Sequence, residues 1–572
     1  MTKAKKHWLL AVIFATLFLS GISAELVLNS EFGRLEVKTV LITDGNKVLS
    51  GLLYRPRPAS SQNPFPSVII AHGISESKEI MSNMGLELAR RGFVVLCLDL
   101  LGHGTSGGTV EEGTIDPSFG VQAAVSYLKS LTFVNASAIG LVGHSLGGGA
   151  VRAAVVRDSQ IKALVLIAGG LGDSAQGPQY GVLNATFPKN LLVIVGKYDA
   201  LFNLTDLAAR ELLSVFNTRQ QVIPEALYGT FQSQTARELF TPETTHLFES
   251  VDPSVILVTA SWMQNSLATG QQFNPVTDLI YLEREVAILV VFVGLLGLIF
   301  LSFFPLTRVF PLKARKAIPS RKNSMLREWS AYTIWGGLNI ALFLPMVLVG
   351  FVISFPPMVF GSSIAWWMLA AGLVGIPIAL RKPLRPIEKE GGLKMRLMEA
   401  FDRNDVLVAL ALFVLLFTIV SLLDAIFAID IRIISPIFRV FTSARRVLVF
   451  PLYLPFFMVY FMAEGLYLHE SHDNRLEHSW GDIRDCSGAV LGKIIPFIAI
   501  MALHYLPKVF FNVWVLPSMV GFLIEFLWII TPIFVITTIC SWWFHRNTQG
   551  NVVGVFFDAL VLAWVAAVVF PF

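Results

Sequence analysis

After Val286 the chain changes character: apolar runs, each long enough to span a bilayer, follow one another with only short charged breaks. A spanning helix needs roughly 17–25 such residues. Segments of that length fall near 286–304, 331–355, 363–380, 405–428, 447–464, 488–507, 515–542 and 552–571. The first four read cleanly, whereas Pro451, Pro455, Pro496, Pro507 and Pro517 interrupt the later ones. These runs predict an all-α polytopic bundle of about eight transmembrane helices over residues 284–572. From Glu25 to Glu283, by contrast, polar, charged and apolar residues mix as they do in a soluble domain. A chain of 572 residues is too long for one ordinary domain. The bundle explains the 54% hydrophobic content and the mere 15% of charged residues.

The first 24 residues are a basic leader and an apolar run of signal-sequence type, read as a signal peptide or a retained signal anchor. Either one exports residues 25–283. Basic residues in short loops fix orientation. Arg308, Lys313, Arg315, Lys316, Arg321, Lys322 and Arg327 follow the first span, and 381–403 is also rich in Lys and Arg. Both loops are therefore expected in the cytoplasm and the amino-terminal half outside a cell membrane; Lys3, Lys5 and Lys6 agree. Arg432, Arg439, Arg445 and Arg446 conflict with this alternation, and a re-entrant or surface helix near 434–446 would resolve it. The sequons at Asn135, Asn184 and Asn203 are compatible with export. A net charge of +4 gives no reason to expect a nucleic-acid partner, and three cysteines make no disulfide framework.

In the exported half, residues 35–43 and 48–56 read as a hairpin turning at Asp44-Gly45-Asn46. Apolar strands then alternate with amphipathic helices: a strand to Gly73, a helix near 83–91, a strand to Leu100, a helix near 118–131, a strand to Ser145 and a helix after Leu146. Two more buried strands lead to Gly170 and Asp199. Such alternation predicts a mostly parallel sheet with helices on both faces, its chemistry at the carboxyl ends of the strands.

Gly143-His144-Ser145-Leu146-Gly147 fits the Gly-x-Ser-x-Gly nucleophile elbow, where small residues let strand and helix crowd a strained serine. With "VIIAHGISESKE", "LDLLGHGTSGG", "VGKYD" and "TTHLF" in the same order, the chain over about 30–283 resembles the alpha/beta-hydrolase superfamily. The likeness is greatest to its esterase-like branch near dienelactone hydrolases and prolyl-oligopeptidase-type enzymes. The resemblance implies Ser145 as nucleophile, Asp199 as acid and His246 as base. It further implies an oxyanion hole from the Ile74 and Leu146 amides, supported by His72, Gly73, Gly143 and Gly147. Free serine is a poor nucleophile, so an imidazole must take its proton and a carboxylate must hold that imidazole's tautomer. This chemistry calls for no cofactor and no metal.

Asp99 and Asp173 compete for the acid's role, but Asp99 precedes the serine and Asp173 lies in a Gly-rich loop. His144 reads as a hydrogen-bonding support, and His103 as a residue fixing its turn. The short segment before Asp199 predicts a shallow, accessible cleft, with Tyr228 and Phe231 in one wall. Every predicted catalytic residue precedes Val286. Asp424, Glu464, Glu525, Asp558, His504 and Lys508 lie in or near apolar segments and are expected to pair or to reach the interface. His469, His472 and His478 read as part of a solvated loop. The expected function is a membrane-bound serine hydrolase for carboxylic esters, with a small ester or lipid-derived substrate and the lipid bilayer as partners. The same triad serves a peptidase or acyltransferase, and a transporter or receptor with a binding-only domain is the other class.

Overall fold

The computed structural model describes residues 3–171, 178–202, 204–267, 278–313, 325–379, 402–433, 435–469, 479–516 and 518–572. Asp173, Asn203, His472, His478, the loop 381–401 and Arg315, Lys316, Arg321 and Lys322 lie outside these described residues.

Eight strands make one sheet: β1 (Leu35–Asp44), β2 (Lys47–Pro56), β3 (Phe65–Ala71), β4 (Val94–Leu98), β5 (Val134–His144), β6 (Ala163–Ile167), β7 (Leu191–Ile194) and β8 (Arg237–Phe240). Their order is β1-β2-β4-β3-β5-β6-β7-β8. The β1–β2 and β2–β4 pairs are antiparallel, and β4, β3, β5, β6, β7 and β8 run parallel. The expected hairpin is present, with Asp44 opposite Lys47 across the turn. Helices α2 (Lys78–Arg90), α3 (Val121–Ser130), α4 (Leu146–Arg157) and α5 (Pro253–Leu267) pack against the sheet. Central strands such as β4 and β6 are buried at every position, which is why they read as continuous apolar runs. Strand β8 escaped the sequence reading because four residues, "RELF", half of them charged, carry neither alternation nor an apolar run.

Among the described residues, nine helices are long and apolar enough to cross a membrane. They are α1 (Lys3–Asn29), α6 (Tyr281–Val309), α7 (Met325–Val352), α8 (Gly361–Ala379), α9 (Arg403–Phe427), α10 (Ala444–His469), α11 (Ser479–Phe511), the pair α12 (Ser518–Glu525) and α13 (Leu527–Thr548), and α14 (Val552–Val569). Eight of these match the expected spans. The ninth is the leader, whose helix passes residue 24 without a break and packs along α6. Pro451, Pro455, Pro496 and Pro507 sit inside helices rather than ending them; neighbouring helices can re-satisfy the backbone groups a proline frees.

The hydrolase-like sheet stands at one end of the bundle. Glu25 of α1 meets Arg284 of α6 at 3.1 Å, and Asn29 accepts from Tyr54 Oη at 2.9 Å. Helix α2 is enclosed on all sides, with every residue except Glu79 buried. Lys5, Arg308 and Lys313 lie toward the opposite end, where His7 stacks on Phe304 and Asn404 donates to Pro311 O.

The expectation of a surface helix near 434–446 is corrected. The segment is a short antiparallel hairpin of β9 (Ile431–Ile433) and β10 (Ser435–Phe438), leading into α10. Arg432, Arg439 and Arg446 are docking contacts with the sheet domain, whereas exposed Arg445 lies over the Phe572 ring. Buried Arg432 pairs with Glu285 and Asp430 and donates to Glu79 O and Asn83 Oδ1. Arg439 donates to Ser77 Oγ at 2.9 Å, and Arg446 to the carbonyls of Gly102, Ala567 and Phe570. Counting loop charge misjudges this segment because Arg432, Arg439 and Arg446 are buried and each donates to protein acceptors.

Candidate active site

Ser145 occupies the turn between β5 and α4 with φ of +50° and ψ of −114°. A side chain rarely adopts that region, and it persists only where the surroundings enforce it. A Cβ at Gly143 would overlap the carbonyl of Gly147, and one at Gly147 would overlap the carbonyl of Ala71. The glycines of the elbow are therefore required by close approach of strand to helix.

Asp199 follows β7, and His246 opens a short helical turn, His246–Val251, after β8. His246 Nε2 lies 3.0 Å from Ser145 Oγ, and its Nδ1 lies 2.8 Å from Asp199 Oδ2. The other carboxylate oxygen of Asp199 accepts the Leu201 N–H at 2.7 Å. Asp199 and His246 are buried, and Ser145 is half-buried. The three residues named from chain order thus converge, although 101 positions separate His246 from Ser145. Asp99 is committed elsewhere, accepting from the Lys78 backbone and ammonium at 2.7 Å each and from Thr105 N–H at 2.8 Å.

The Ile74 amide follows β3, and the Leu146 amide opens α4; among the described residues neither N–H has an acceptor. His72 shapes the first of these loops. Its Nε2 accepts from Leu100 N–H at 3.1 Å, so Nδ1 carries the proton and donates to Gly73 O at 2.7 Å. His103 binds the carbonyl of Leu101 in its turn. With this geometry Ser145 Oγ can attack a carbonyl carbon while its proton passes to His246 Nε2. The two amides would face the resulting oxyanion, and the same proton can then leave with the departing oxygen or nitrogen.

Two carboxylates beside the elbow, half-buried Glu76 and buried Glu249, were not singled out from the sequence. Glu76 Oε2 accepts Gly73 N–H at 2.7 Å and lies 3.1 Å from His144 Nδ1, while His144 Nε2 donates to the carbonyl of His246 at 3.0 Å. Burial opposes ionisation of both side chains, but their mutual attraction outweighs it, lowering the Glu76 carboxyl and raising the His144 imidazole. His144 is thereby a strut between the oxyanion loop and the base loop. Glu249 accepts Gly196 N–H, and burial together with nearby Asp199 pushes its carboxyl up. Glu76 stood within a motif segment, a usable signal; Glu249 had none.

His144, His246 and Glu249 are close enough to hold a metal ion. All four ring nitrogens already serve Glu76, the His246 carbonyl, Asp199 and Ser145, which leaves the set poorly suited to a cation.

The expectation of a shallow, open cleft built from the amino-terminal half alone is corrected. The ring of Phe522, in α12, stands edge-on to His246 at 5.1 Å. Glu525 Oε2 accepts Leu247 N–H at 3.4 Å, and Ser518 N–H donates to Ala200 O at 3.0 Å. Phe522 and Glu525, three apart, share one helical face, so α12 covers the base. Tyr228 and Phe231 instead pack edge-on to Phe216 and Trp262. Within the bundle Glu464 pairs with Lys493 at 2.7 Å and accepts from Thr538, as expected of a structural ion pair, though Lys493 had not been singled out.

Residues 62–212 match the family model described as serine aminopeptidase, S33. Among curated proteins, the uncharacterized protein YcjY of Escherichia coli is 27% identical over 119 residues, 20% of this chain and 39% of that protein. The uncharacterized protein YfhR of Salmonella typhimurium is 25% identical over 202 residues, 32% of this chain and 66% of that one. The chain therefore spans less than two thirds of either relative. The Pyrococcus furiosus esterase Pf2001 aligns at 18% identity and a TM-score of 0.31, covering 42% of this chain and 96% of the esterase. A dienelactone hydrolase from Anabaena variabilis aligns at 22% and 0.28, covering 41% and 99%. Sheet order, elbow and family match agree that the amino-terminal region of this chain has the alpha/beta-hydrolase fold, joined here to a helical region with many membrane-length helices.

Proposed function

We propose that this protein is a multi-pass membrane serine hydrolase that cleaves carboxylic esters outside the cytoplasm through Ser145, His246 and Asp199. The observation that carries the reading is the relay in which one imidazole lies 3.0 Å from the serine oxygen and 2.8 Å from a buried carboxylate. Ser145 Oγ bonds to the ester carbon, and its proton moves to His246 Nε2. The Ile74 and Leu146 amides receive the oxyanion, and the alcohol departs with the proton from His246. Water then repeats the sequence on the acyl-enzyme and releases the acid. Placement outside the cytoplasm is supported by Lys5, Arg308 and Lys313 at the bundle end away from the sheet.

The family model's aminopeptidase description favours a second reading, cleavage of amino-terminal residues from peptides by the same three side chains. One labelling experiment tests the main proposal: a membrane-impermeant fluorophosphonate applied to intact cells, with Ser145→Ala as the control. Labelling of the wild type alone is expected. Labelling only after lysis would overturn the placement, and persistent labelling of Ser145→Ala would overturn the nucleophile. Turnover of aminoacyl amides but not simple esters would select the peptidase.

A further inference from the structure

Beside the candidate active site an almost wholly apolar cavity runs into the helical bundle. It holds about 100 Å³ of space for a water-sized sphere, several times the roughly 10–15 Å³ that a single water needs. Helices α7, α8, α10, α12, α13 and α14 line it, with Phe360, Trp367, Phe526, Ile530 and Leu562 among the walls. Two lining residues carry hydroxyls. Ser363 spends its hydroxyl on the carbonyl of Val347 at 2.9 Å. The other is Ser75, the lone contribution of the sheet domain, and among the described residues its buried Oγ has no partner. Ser75 sits in the left-handed region at φ +61° and directly follows Ile74, whose N–H is a candidate oxyanion donor. A second link runs through aromatic rings: Phe526 of the wall packs on Phe522 at 5.1 Å, and Phe522 packs on His246 at 5.1 Å. The cavity thus reaches the residue that follows the oxyanion-loop amide of Ile74, and a single ring, Phe522, stands between its wall and the base.

We propose that this cavity is the acyl-chain slot of the hydrolase, and that the substrate is the ester of a single long, linear acyl chain. This rests on the ester-hydrolase reading. With the ester carbon at Ser145, the chain passes Ser75 and runs between α8 and α13, away from the sheet domain. Lining residues extend from Phe360 to Met368 and from Phe526 to Phe534, eight residues along each helix, or about 12 Å at 1.5 Å per residue. An extended chain of about ten carbons fills that depth, at roughly 1.3 Å per methylene. A slot without free polar groups below its mouth rejects charged or hydrated chains, because nothing replaces their lost water. The bundle is then part of the enzyme and sets its chain-length preference.

The test uses the full chain in detergent or nanodiscs and nitrophenyl esters from butanoate to dodecanoate. Transfer of each methylene into the slot should raise kcat/KM roughly fourfold, until the rise stops at about ten carbons. Ile530→Trp and Leu562→Trp, on two different walls, should each lower the dodecanoate-to-butanoate ratio of kcat/KM at least tenfold. On Ser145→Ala, a dodecanoate ester carrying a terminal diazirine should crosslink to residues near Met368 or Phe534. A wild type that labels with fluorophosphonate yet shows no chain-length dependence would overturn the slot. So would folded variants that both keep the wild-type ratio. A protein that neither labels nor hydrolyses any ester would refute the hydrolase reading instead. The crosslink then judges the slot alone, and crosslinks confined to the bundle exterior would reject it.

Discussion

Replacing Asp199 by Asn tests the relay at its most constrained point. One carboxylate oxygen of Asp199 is fixed by the Leu201 N–H at 2.7 Å, and the other faces His246 Nδ1 at 2.8 Å. An asparagine keeps its single acceptor oxygen on the Leu201 amide, since reversing the side chain would set two donors against each other. Its NH2 must then point at Nδ1, which can answer only with a lone pair. The ring proton moves to Nε2, 3.0 Å from Ser145 Oγ, where a base is needed and a donor now stands. A wrong tautomer of this kind costs about ten-thousandfold in turnover, or roughly 5.4 kcal/mol of transition-state stabilisation at 1.36 kcal/mol per decade. Asp199→Ala forces no tautomer, so its loss should not exceed that of Asp199→Asn. The assay is kcat/KM on a short nitrophenyl ester across pH, with melting curves to confirm that both variants fold. A folded Asp199→Asn protein within tenfold of wild type would refute the assignment of Asp199 as the group that orients His246.

Arg432→Met should weaken the junction between the sheet domain and the bundle, leaving Asp430 and Glu285 facing one another without their shared cation. Removing one partner from a buried ion pair costs about 3–5 kcal/mol, and Arg284 nearby offsets part of this, so a fall in Tm of roughly 6–10 °C is expected. An unchanged Tm would mean that the hairpin is not a structural tie. His103 predicts an acid limb of stability. Burial lowers its pKa to about 3 in the folded protein, whereas the unfolded chain titrates near 6.5, so below about pH 6.5 the unfolded state binds the extra proton. Stability should then fall with pH by up to about 1.4 kcal/mol per unit from this residue until about pH 3. His103→Asn should flatten denaturant midpoints between pH 7 and 5, and an identical slope in both proteins would contradict the buried neutral histidine.

The two-part organisation and the elbow were legible because both are local. A bilayer-length apolar run is written in consecutive residues, and a serine fenced by glycines marks a backbone conformation that few other residues can adopt. The family resemblance carried by the motif order then implied Asp199 and His246, and parallel strands deliver their following loops to one edge of the sheet. Tertiary structure alone decided what closes the site. Phe522 and Glu525 read as parts of a membrane span, yet they lie against His246 and the Leu247 amide, Glu525 from 278 residues away. Arg432 read as a loop charge in the wrong place, yet its partners Asn83 and Glu285 are 349 and 147 residues distant. Glu249 carried no motif, and only burial beside Asp199 gives its carboxyl an unusual environment. Periodicity and motifs record what a residue needs from its near neighbours. Which distant charges, rings and carbonyls meet is fixed by packing two independently legible halves against each other, and that is set by shape complementarity and by satisfying buried polar groups.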